Sequence, residues 1–451
     1  MKELLNHRAH RENLRLLALW LLLVTPVAVL AGSASAFFLW SLDRVTALRF
    51  EYPWLLWLLP VAGPVIVWLY HSLGRNAERG TNLLLDEIHQ PGGGVPLRMA
   101  PLVLLTTLIT HLFGGSAGRE GTAIQMAGGL AGGFIKYFRI PERHRRMLLL
   151  AGVAAGFGSV FGTPLAGAIF AMEVLAVGRI RYEFLVPCLL AGVLGDLTCS
   201  AWGVHHTSYH IEAFVPSVRF GVGSLDLILL AKAMVAGLVF GLVSLLFTDL
   251  AHFLNHQFQQ HVTKAWLRPV LGGVLVLALT YLLGTRSYLG LGVSSPNLGD
   301  VTILSSFNSG GATPWSWFWK VLFTAVTLSS GFKGGEVTPL FFIGAALGNA
   351  LSMLLGAPTD LFAGLGFVAV FAGASNTPLA CTVMGIELFG AEHAVYLAVA
   401  CFVAYLFSGH SGIYGSQPVA IPKGLEPHFS AEVTLAELRQ RRVDTSERKK
   451  P

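Results

Sequence analysis

Scarcity of charge through the middle of the sequence is the feature that most constrains the fold. Asp, Glu, Lys and Arg make up 12% of the 451 residues, against the roughly 25% of an ordinary soluble protein. Hydrophobic residues make up 53%. Charges concentrate in residues 1–15 and 421–451, so the stretch between them is expected to lie in a membrane. This composition excludes a soluble multidomain enzyme.

Long uncharged runs divide that stretch into candidate spans. Runs close to the roughly 20 residues that a bilayer-spanning helix needs are 16–42, 52–74, 337–359, 361–386 and 393–422. Others are shorter or interrupted by Gly and Pro, which is typical of helices that tilt or stop within a membrane. The first run is too long for the apolar region of a signal peptide. The sequence therefore predicts an all-α polytopic integral membrane protein.

Basic residues indicate the topology, because Lys and Arg favour the cytoplasmic side. They cluster in residues 1–15, 75–79, 143–146, 179–181 and 439–450, which predicts that both termini are cytoplasmic. Insertion topology explains most of the net charge of +6, and no nucleic-acid partner is expected. We predict a cytoplasmic basic segment (1–15), a transmembrane domain (16–420, with halves of about 16–220 and 221–420) and a charged cytoplasmic tail (421–451) with a short helix around 431–442.

Cysteine and histidine show no metal-site spacing. Cys188, Cys199, Cys381 and Cys401 lie in apolar stretches and are interpreted as small core residues. The pair at 205–206 (His-His) falls in a polar segment, 202–217, that is predicted to be a loop. We expect no metal and no cofactor.

An internal repeat organises the chain. Residues 163–166 and 377–380 both read Thr-Pro-Leu-Ala, and a glutamate follows each proline by the same interval, at Glu173 and Glu387. Upstream, residues 118–122 and 334–338 both read Gly-x-Glu-x-Thr at nearly the same separation. Two matching halves with interrupted segments point to a transporter fold whose site lies between broken helices. Whether the repeat is parallel or inverted does not follow from the residues alone.

Two glutamates at predicted helix starts are the main functional candidates. Glu120 and Glu336 each follow glycines and precede an apolar helix, where free N–H groups and the helix dipole attract anions. A carboxylate in a membrane segment is functional or paired. Beside an anion site it links proton and anion occupancy, because the ionised form competes with the anion and the protonated form does not. The structural alternative is that Glu120 only stabilises its own helix start, paired with Arg119.

Further polar positions complete the predicted site. Thr81 or Asn82 is expected to cap a third helix start, and Tyr414, in the polar stretch 408–417, offers a hydroxyl to an anion. Glu173 and Glu387 lie within apolar helical stretches and are predicted to bond to backbone N–H groups elsewhere in the protein.

At these positions the sequence resembles the CLC chloride channels and chloride/proton exchangers. Residues 118–121 (Gly-Arg-Glu-Gly) are similar to the family's signature, whose glutamate is the external gate. Residues 161–167 (Phe-Gly-Thr-Pro-Leu-Ala-Gly) are similar to its Asn-Ala-Pro-Leu-Ala-Gly segment. The resemblance covers about residues 15–420. It implies two inverted-topology repeats with broken helices that meet at the membrane midplane, and a homodimer with one pathway per subunit.

Departures from the chloride pattern resemble the family's bacterial fluoride/proton antiporters. Residues 80–84 (Gly-Thr-Asn-Leu-Leu) replace Gly-Ser-Gly-Ile-Pro, and residues 335–339 (Gly-Glu-Val-Thr-Pro) replace Gly-x-Phe-x-Pro. Val174 stands where chloride exchangers carry an internal proton-transfer glutamate. Residues 409–417 are similar to a glycine-histidine-x-glycine-isoleucine-tyrosine-glycine stretch of the fluoride branch that carries a coordinating tyrosine.

The resemblance implies roles for individual residues. Glu120 becomes the gating and proton-carrying group and Glu336 a second pathway glutamate and candidate proton route. Ion contacts fall on Thr81 or Asn82, Thr338 and Tyr414, with Gly118, Gly121, Gly335 and Val337 at the two helix starts. The implied partners are fluoride and protons, a second copy of the chain and the lipid bilayer, and the implied location is a bacterial inner membrane. The first alternative is a chloride/proton exchanger or chloride channel of the same fold. The second is an intramembrane enzyme, which is disfavoured because the sequence lacks the paired acid–histidine signature that such an enzyme needs.

Overall fold

The computed structural model describes residues 7–212, 226–424 and 433–448, and almost all regular structure in them is helical. The helices are α1 His7–Glu51, α2 Leu59–Leu69, α3 Thr81–His89, α4 Met99–Leu112, α5 Glu120–Tyr137, α6 Glu142–Phe161, α7 Pro164–Glu173, α8 Leu185–Ala201, α9 Leu227–His261, α10 Leu267–Leu283, α11 Ile303–Ser306, α12 Ser316–Ser329, α13 Val337–Leu355, α14 Thr359–Ser375, α15 Pro378–Phe389, α16 Ala394–Phe407 and α17 Leu435–Arg448. Strands β1 (Pro418–Val419) and β2 (Val433–Thr434) pair antiparallel. The predicted all-α class is confirmed.

Helices of two kinds build the body. Within the described residues, five segments are long and apolar enough to cross a membrane: His10–Glu51, Pro53–Gly74, Tyr182–Ala201, Leu227–His261 and Val337–Leu355. Several others are apolar but have only 10–17 residues, at or below the lower end of the length that spans the hydrocarbon core. The span formed by α13 is itself 83% buried, so it runs through the interior of the protein and is shielded from lipid.

Two of the predicted spans are interrupted. The run 361–386 breaks at Asn376, which adopts a left-handed conformation (φ 60°) between α14 and α15. The run 393–422 is helical only to Phe407, and the polar stretch beyond it is irregular. In both runs the absence of charge did not indicate a continuous helix, because a loop buried within a protein can be as uncharged as a helix.

Reciprocal contacts relate the two halves. Glu173 at the end of α7 accepts hydrogen bonds from the backbone N–H groups of Leu379 (3.1 Å) and Ala380 (2.8 Å) at the start of α15. Glu387 near the end of α15 accepts the equivalent bonds from residues 165 and 166 at the start of α7 (3.0 and 2.8 Å). The predicted backbone bonding of both glutamates is confirmed. Because each helix end meets the other helix's start, α7 and α15 run antiparallel, as an inverted repeat requires.

Close backbone packing joins neighbouring helices. A Cβ atom on Gly344 of α13 would lie 1.9 Å from the carbonyl oxygen of Gly366 in α14, and one on Gly32 of α1 would lie 2.4 Å from that of Gly195 in α8. Small residues at such crossings are typical of membrane helix interfaces. The four cysteines are buried and unpaired with one another, as expected.

The tail folds back onto the body. Val419 of β1 and Leu435 at the start of α17 pack in an apolar cluster with Val177, and Val177 forms a backbone bridge to Val419. The helix predicted around 431–442 begins at Leu435 and continues to Arg448, with 431–432 outside the described residues. The predicted loop at 202–217 has no regular structure as far as residue 212, and its remainder is outside them too.

Candidate ion pathway

The starts of α5 and α13 are joined by a short antiparallel bridge. The N–H of Gly118 donates to the carbonyl of Gly335 (2.6 Å), and the N–H of Gly335 donates to that of Gly118 (2.7 Å). A Cβ on Gly335 would lie 2.8 Å from the nitrogen of Gly121, so side chains are excluded here. The backbone N–H groups of Gly118 and Gly335 are therefore used in hydrogen bonds to each other's carbonyl groups, and these two glycines hold the two helix starts together.

Glu120, the first residue of α5, places its carboxylate on the start of α13. Its Oε2 accepts hydrogen bonds from the backbone N–H of Thr338 (3.0 Å) and from the Thr338 hydroxyl (2.5 Å). Arg119 donates to the same carboxylate through its backbone N–H and its Nε, each at 3.2 Å. Glu120 is fully buried. Its carboxylate thus occupies an anion site formed by a helix N-terminus of the other half.

Two cavities lie at the start of α13. One, with a volume of about 10 Å³, is lined by Glu120 and Thr338 and has room for about one water-sized particle. The other, of about 200 Å³, is lined by Glu336 and Tyr414. No described residue lines both cavities. The start of α13 contributes to both, with Thr338 lining the smaller cavity and Glu336, the cap residue of α13, lining the larger.

Glu336 and Tyr414 face the larger cavity. Glu336 and Val337 lie at the very start of α13, where Val337 is buried and Glu336 only partly so. Tyr414 is 4% exposed, and its ring packs edge-on against Phe170 with centroids 6.3 Å apart. Within the described part of the chain, no hydrogen bond holds the Glu336 carboxyl or the Tyr414 hydroxyl. Both groups can therefore form hydrogen bonds to an ion or a water molecule in the cavity.

The predicted capping role of Thr81 and Asn82 is wrong. Gly80 occupies the cap of α3 with φ 56°, and no side chain there makes a capping hydrogen bond. A Cβ at Gly80 would be 3.1 Å from the Gln125 amide, which instead donates to the Thr81 hydroxyl (3.2 Å). The Asn82 side-chain oxygen accepts from the N–H of Ser416 (3.1 Å) and so anchors the segment that carries Tyr414. Thr81 and Asn82 both still line the larger cavity.

Sequence reasoning missed several lining residues. Lys333 borders the larger cavity, with Nζ 4.6 Å from the ring centroid of Tyr70. Phe161, Phe341 and Phe367 border the smaller one. Lys333 stands three residues before Glu336 in the glycine-rich start of α13, and this position could have marked it as a lining residue. The three phenylalanines could not have been recognised, because nothing in the sequence distinguishes them from the other phenylalanines among the 29 in the chain. No cluster of potential metal ligands occurs in residues 7–212, 226–424 and 433–448.

Known proteins share this architecture. The family model described as voltage gated chloride channel matches residues 61–409. A protein of Pseudomonas syringae pv. tomato named a chloride/fluoride channel protein is 49% identical over 94% of this chain and 91% of its own length. A solved structure of a CLC-type fluoride/proton antiporter superposes with a TM-score of 0.82 at 33% identity, covering 89% of this chain and 98% of that one. An H(+)/Cl(-) exchange transporter of Cronobacter sakazakii is 26% identical over 82% of this chain and 81% of its length.

Proposed function

The chain belongs to the voltage-gated chloride channel (CLC) family of membrane channels and transporters, and on this basis we propose that it is a fluoride/proton antiporter. It exports cytoplasmic fluoride in exchange for inward protons and so confers fluoride resistance. Fluoride enters cells as its neutral acid and is trapped as the ion in a less acidic cytoplasm, so inward proton movement can drive its export.

One observation carries the proposal: an ionisable carboxylate, Glu120, fills the anion site at the start of α13. The ionised group excludes an anion from the Thr338 N–H and hydroxyl. Protonation removes the charge that those donors stabilise and lets an anion take its place. Anion and proton occupancy are then mutually dependent, which is the requirement for exchange.

Donor chemistry favours fluoride over chloride. Fluoride is a strong hydrogen-bond acceptor and loses its hydration shell at greater cost, so it needs hydroxyl, amide and carboxylic acid donors. Thr338, Thr81, Asn82 and Tyr414 supply the first two kinds around the pathway. Glu336 would supply the third in its neutral form, and it is our candidate for the proton route on the cytoplasmic side. The similarity to a fluoride/proton antiporter at 33% identity supports the same choice.

We place the protein in a bacterial inner membrane as a homodimer with both termini in the cytoplasm. The basic clusters of the sequence support this orientation, and the family resemblance supports the dimer. Chemical cross-linking in native membranes tests the dimer, and protease accessibility of the tail in inside-out vesicles tests the orientation.

Ion selectivity tests the proposal. The purified protein is reconstituted in liposomes that are loaded with equal concentrations of fluoride or chloride, and efflux is followed with ion-selective electrodes. Fluoride efflux is expected to be much faster than chloride efflux. Equal rates would overturn the fluoride assignment and favour the second candidate, a chloride/proton exchanger, which the shared Gly-Arg-Glu-Gly motif and the 26% identity to an H(+)/Cl(-) exchange transporter support.

A further inference from the structure

A basic groove lies away from the ion pathway, where α5 ends and α6 begins. It has a volume of about 1040 Å³ and shares no described lining residue with the two cavities above. Its basic lining residues are Arg98, Lys136, Arg139 and Arg145. Among the described residues that line the groove, Glu87 is the one acid. The groove therefore carries a strong excess of positive charge.

Close ion pairs do not offset that charge in the described part of the chain, where none involves any of the four cations. Arg145 donates through Nε to a neutral acceptor, the carbonyl of Ile140 (3.1 Å). Glu87 accepts a hydrogen bond from the N–H of Gly92 (3.0 Å). Four like charges around one groove repel one another, and an anion bound between them would offset that repulsion.

The length of α5 places the groove at the level of the lipid headgroups. Helix α5 starts at the ion pathway with Glu120 and has 18 residues, a length of about 27 Å at 1.5 Å per residue. From the middle of a hydrocarbon core of about 30 Å, this carries its end to the headgroup region even when the helix is tilted. Tyr137 and Phe138 at that end are 81% and 58% exposed. Exposed aromatic residues beside basic ones are typical of the membrane interface.

Backbone strain is stored beside the groove. Arg139 follows α5 with φ 50°, a left-handed conformation that glycine normally supplies after a helix and that costs energy in other residues. In spite of that cost, this position carries an arginine whose side chain lines the groove. The walls are also preformed, because Gly132 and Gly133 allow Val95 and Leu97 to pack directly on α5.

We propose that this groove binds the headgroup of an anionic phospholipid in the adjacent leaflet. The phosphate lies among Arg98, Lys136 and Arg139, and the acyl chains lie along the exposed faces of Leu97 (53% exposed) and Phe138. By the positive-inside pattern this is the cytoplasmic leaflet, which carries anionic lipid. The inference does not depend on which ion the protein transports.

Native mass spectrometry of the full-length protein tests the proposal, with phosphatidylglycerol and phosphatidylcholine of matched acyl chains. Each cation contributes about 1 kcal/mol to such binding, or about fivefold in affinity. Arg139→Gly, which relieves the strained backbone while removing the charge, should weaken phosphatidylglycerol retention about fivefold without lowering the melting temperature of the lipid-free protein. Arg98→Gln/Lys136→Gln/Arg139→Gly should weaken retention about 100-fold.

Arg143→Gln is the matched control, because Arg143 is exposed in the first turn of α6, next to the groove, but does not line it. It should retain phosphatidylglycerol like the wild type. Equal retention of both lipids by the wild type would overturn the proposal, as would equal losses in Arg139→Gly and Arg143→Gln, which indicate general surface attraction. Competition by glycerol phosphate as strong as by the intact lipid would overturn it in favour of a free-anion site.

Discussion

Thr338→Val probes the hydrogen bond that, in the proposed mechanism, holds the Glu120 carboxylate in the anion site. The substitution preserves side-chain shape and the backbone N–H but removes the hydroxyl that donates to Glu120 at 2.5 Å in a buried setting. A bond between a neutral donor and a carboxylate contributes about 1.5–3 kcal/mol, so the ionised carboxylate should leave its site roughly 10 to 150 times more often. Fluoride can then pass without a proton, and the number of protons moved per fluoride ion should fall.

Simultaneous recording of fluoride and proton flux in liposomes measures this ratio. The ratio separates gating from ion binding, because loss of the hydroxyl as a fluoride ligand changes the transport rate but not its coupling. Thr338→Ser keeps the hydroxyl and is the matched control, with coupling close to that of the wild type. If Thr338→Val exchanges protons and fluoride in the wild-type ratio, the Thr338 hydroxyl does not control the release of Glu120, and the proposed gating role of this bond is refuted.

Other substitutions test separate parts of the structure. Glu120→Gln cannot take up a proton and should abolish coupled exchange; normal proton flux in liposomes would refute its role. Glu173→Gln loses one of two charge-assisted bonds and should destabilise the protein by about 1.5–3 kcal/mol, seen as a lower melting temperature with unchanged ion selectivity, whereas exposed Glu392→Gln should change neither. Burial lowers the pKa of Lys423 from 10.5 to about 7, so the folded state disfavours the charged form, and stability should rise as pH increases from about 7 towards 10.5. Lys423→Met should remove that rise in melting temperature; an identical pH profile in both proteins would contradict it.

The bonding of Glu173 and Glu387 could be predicted because buried acids in apolar helices require donors. The repeat placed the two glutamates in equivalent positions, and the structure shows equivalent bonds. Membrane insertion, the helical class and the convergence of two helix starts could also be predicted from the sequence. Each follows from local composition or from similarity between the two halves.

The difference between Glu120 and Glu336 could not be predicted. The repeat aligns these residues, yet Glu120 bonds to the start of α13 and Glu336 faces a cavity. Repeat alignment matches position 118 with 334, whereas the backbone bridge pairs Gly118 with Gly335. At this contact the two halves therefore depart from exact equivalence: Glu120 bonds to Thr338, and no equivalent bond joins Glu336 to Thr122 among the described residues. Contacts between segments more than 200 positions apart depend on the packing of the whole protein, which no local pattern encodes.

Obligatory coupling of fluoride and proton movement, as proposed for this protein, can be measured directly. Liposomes containing the protein are loaded with fluoride at equal internal and external pH, diluted into fluoride-free buffer, and followed with a pH dye inside the vesicles. Outward fluoride movement should acidify the interior, a chloride gradient of the same size should do so far less, and Glu120→Gln should abolish the signal. Fluoride efflux with no internal pH change, with the membrane potential clamped, would show that the two movements are not coupled.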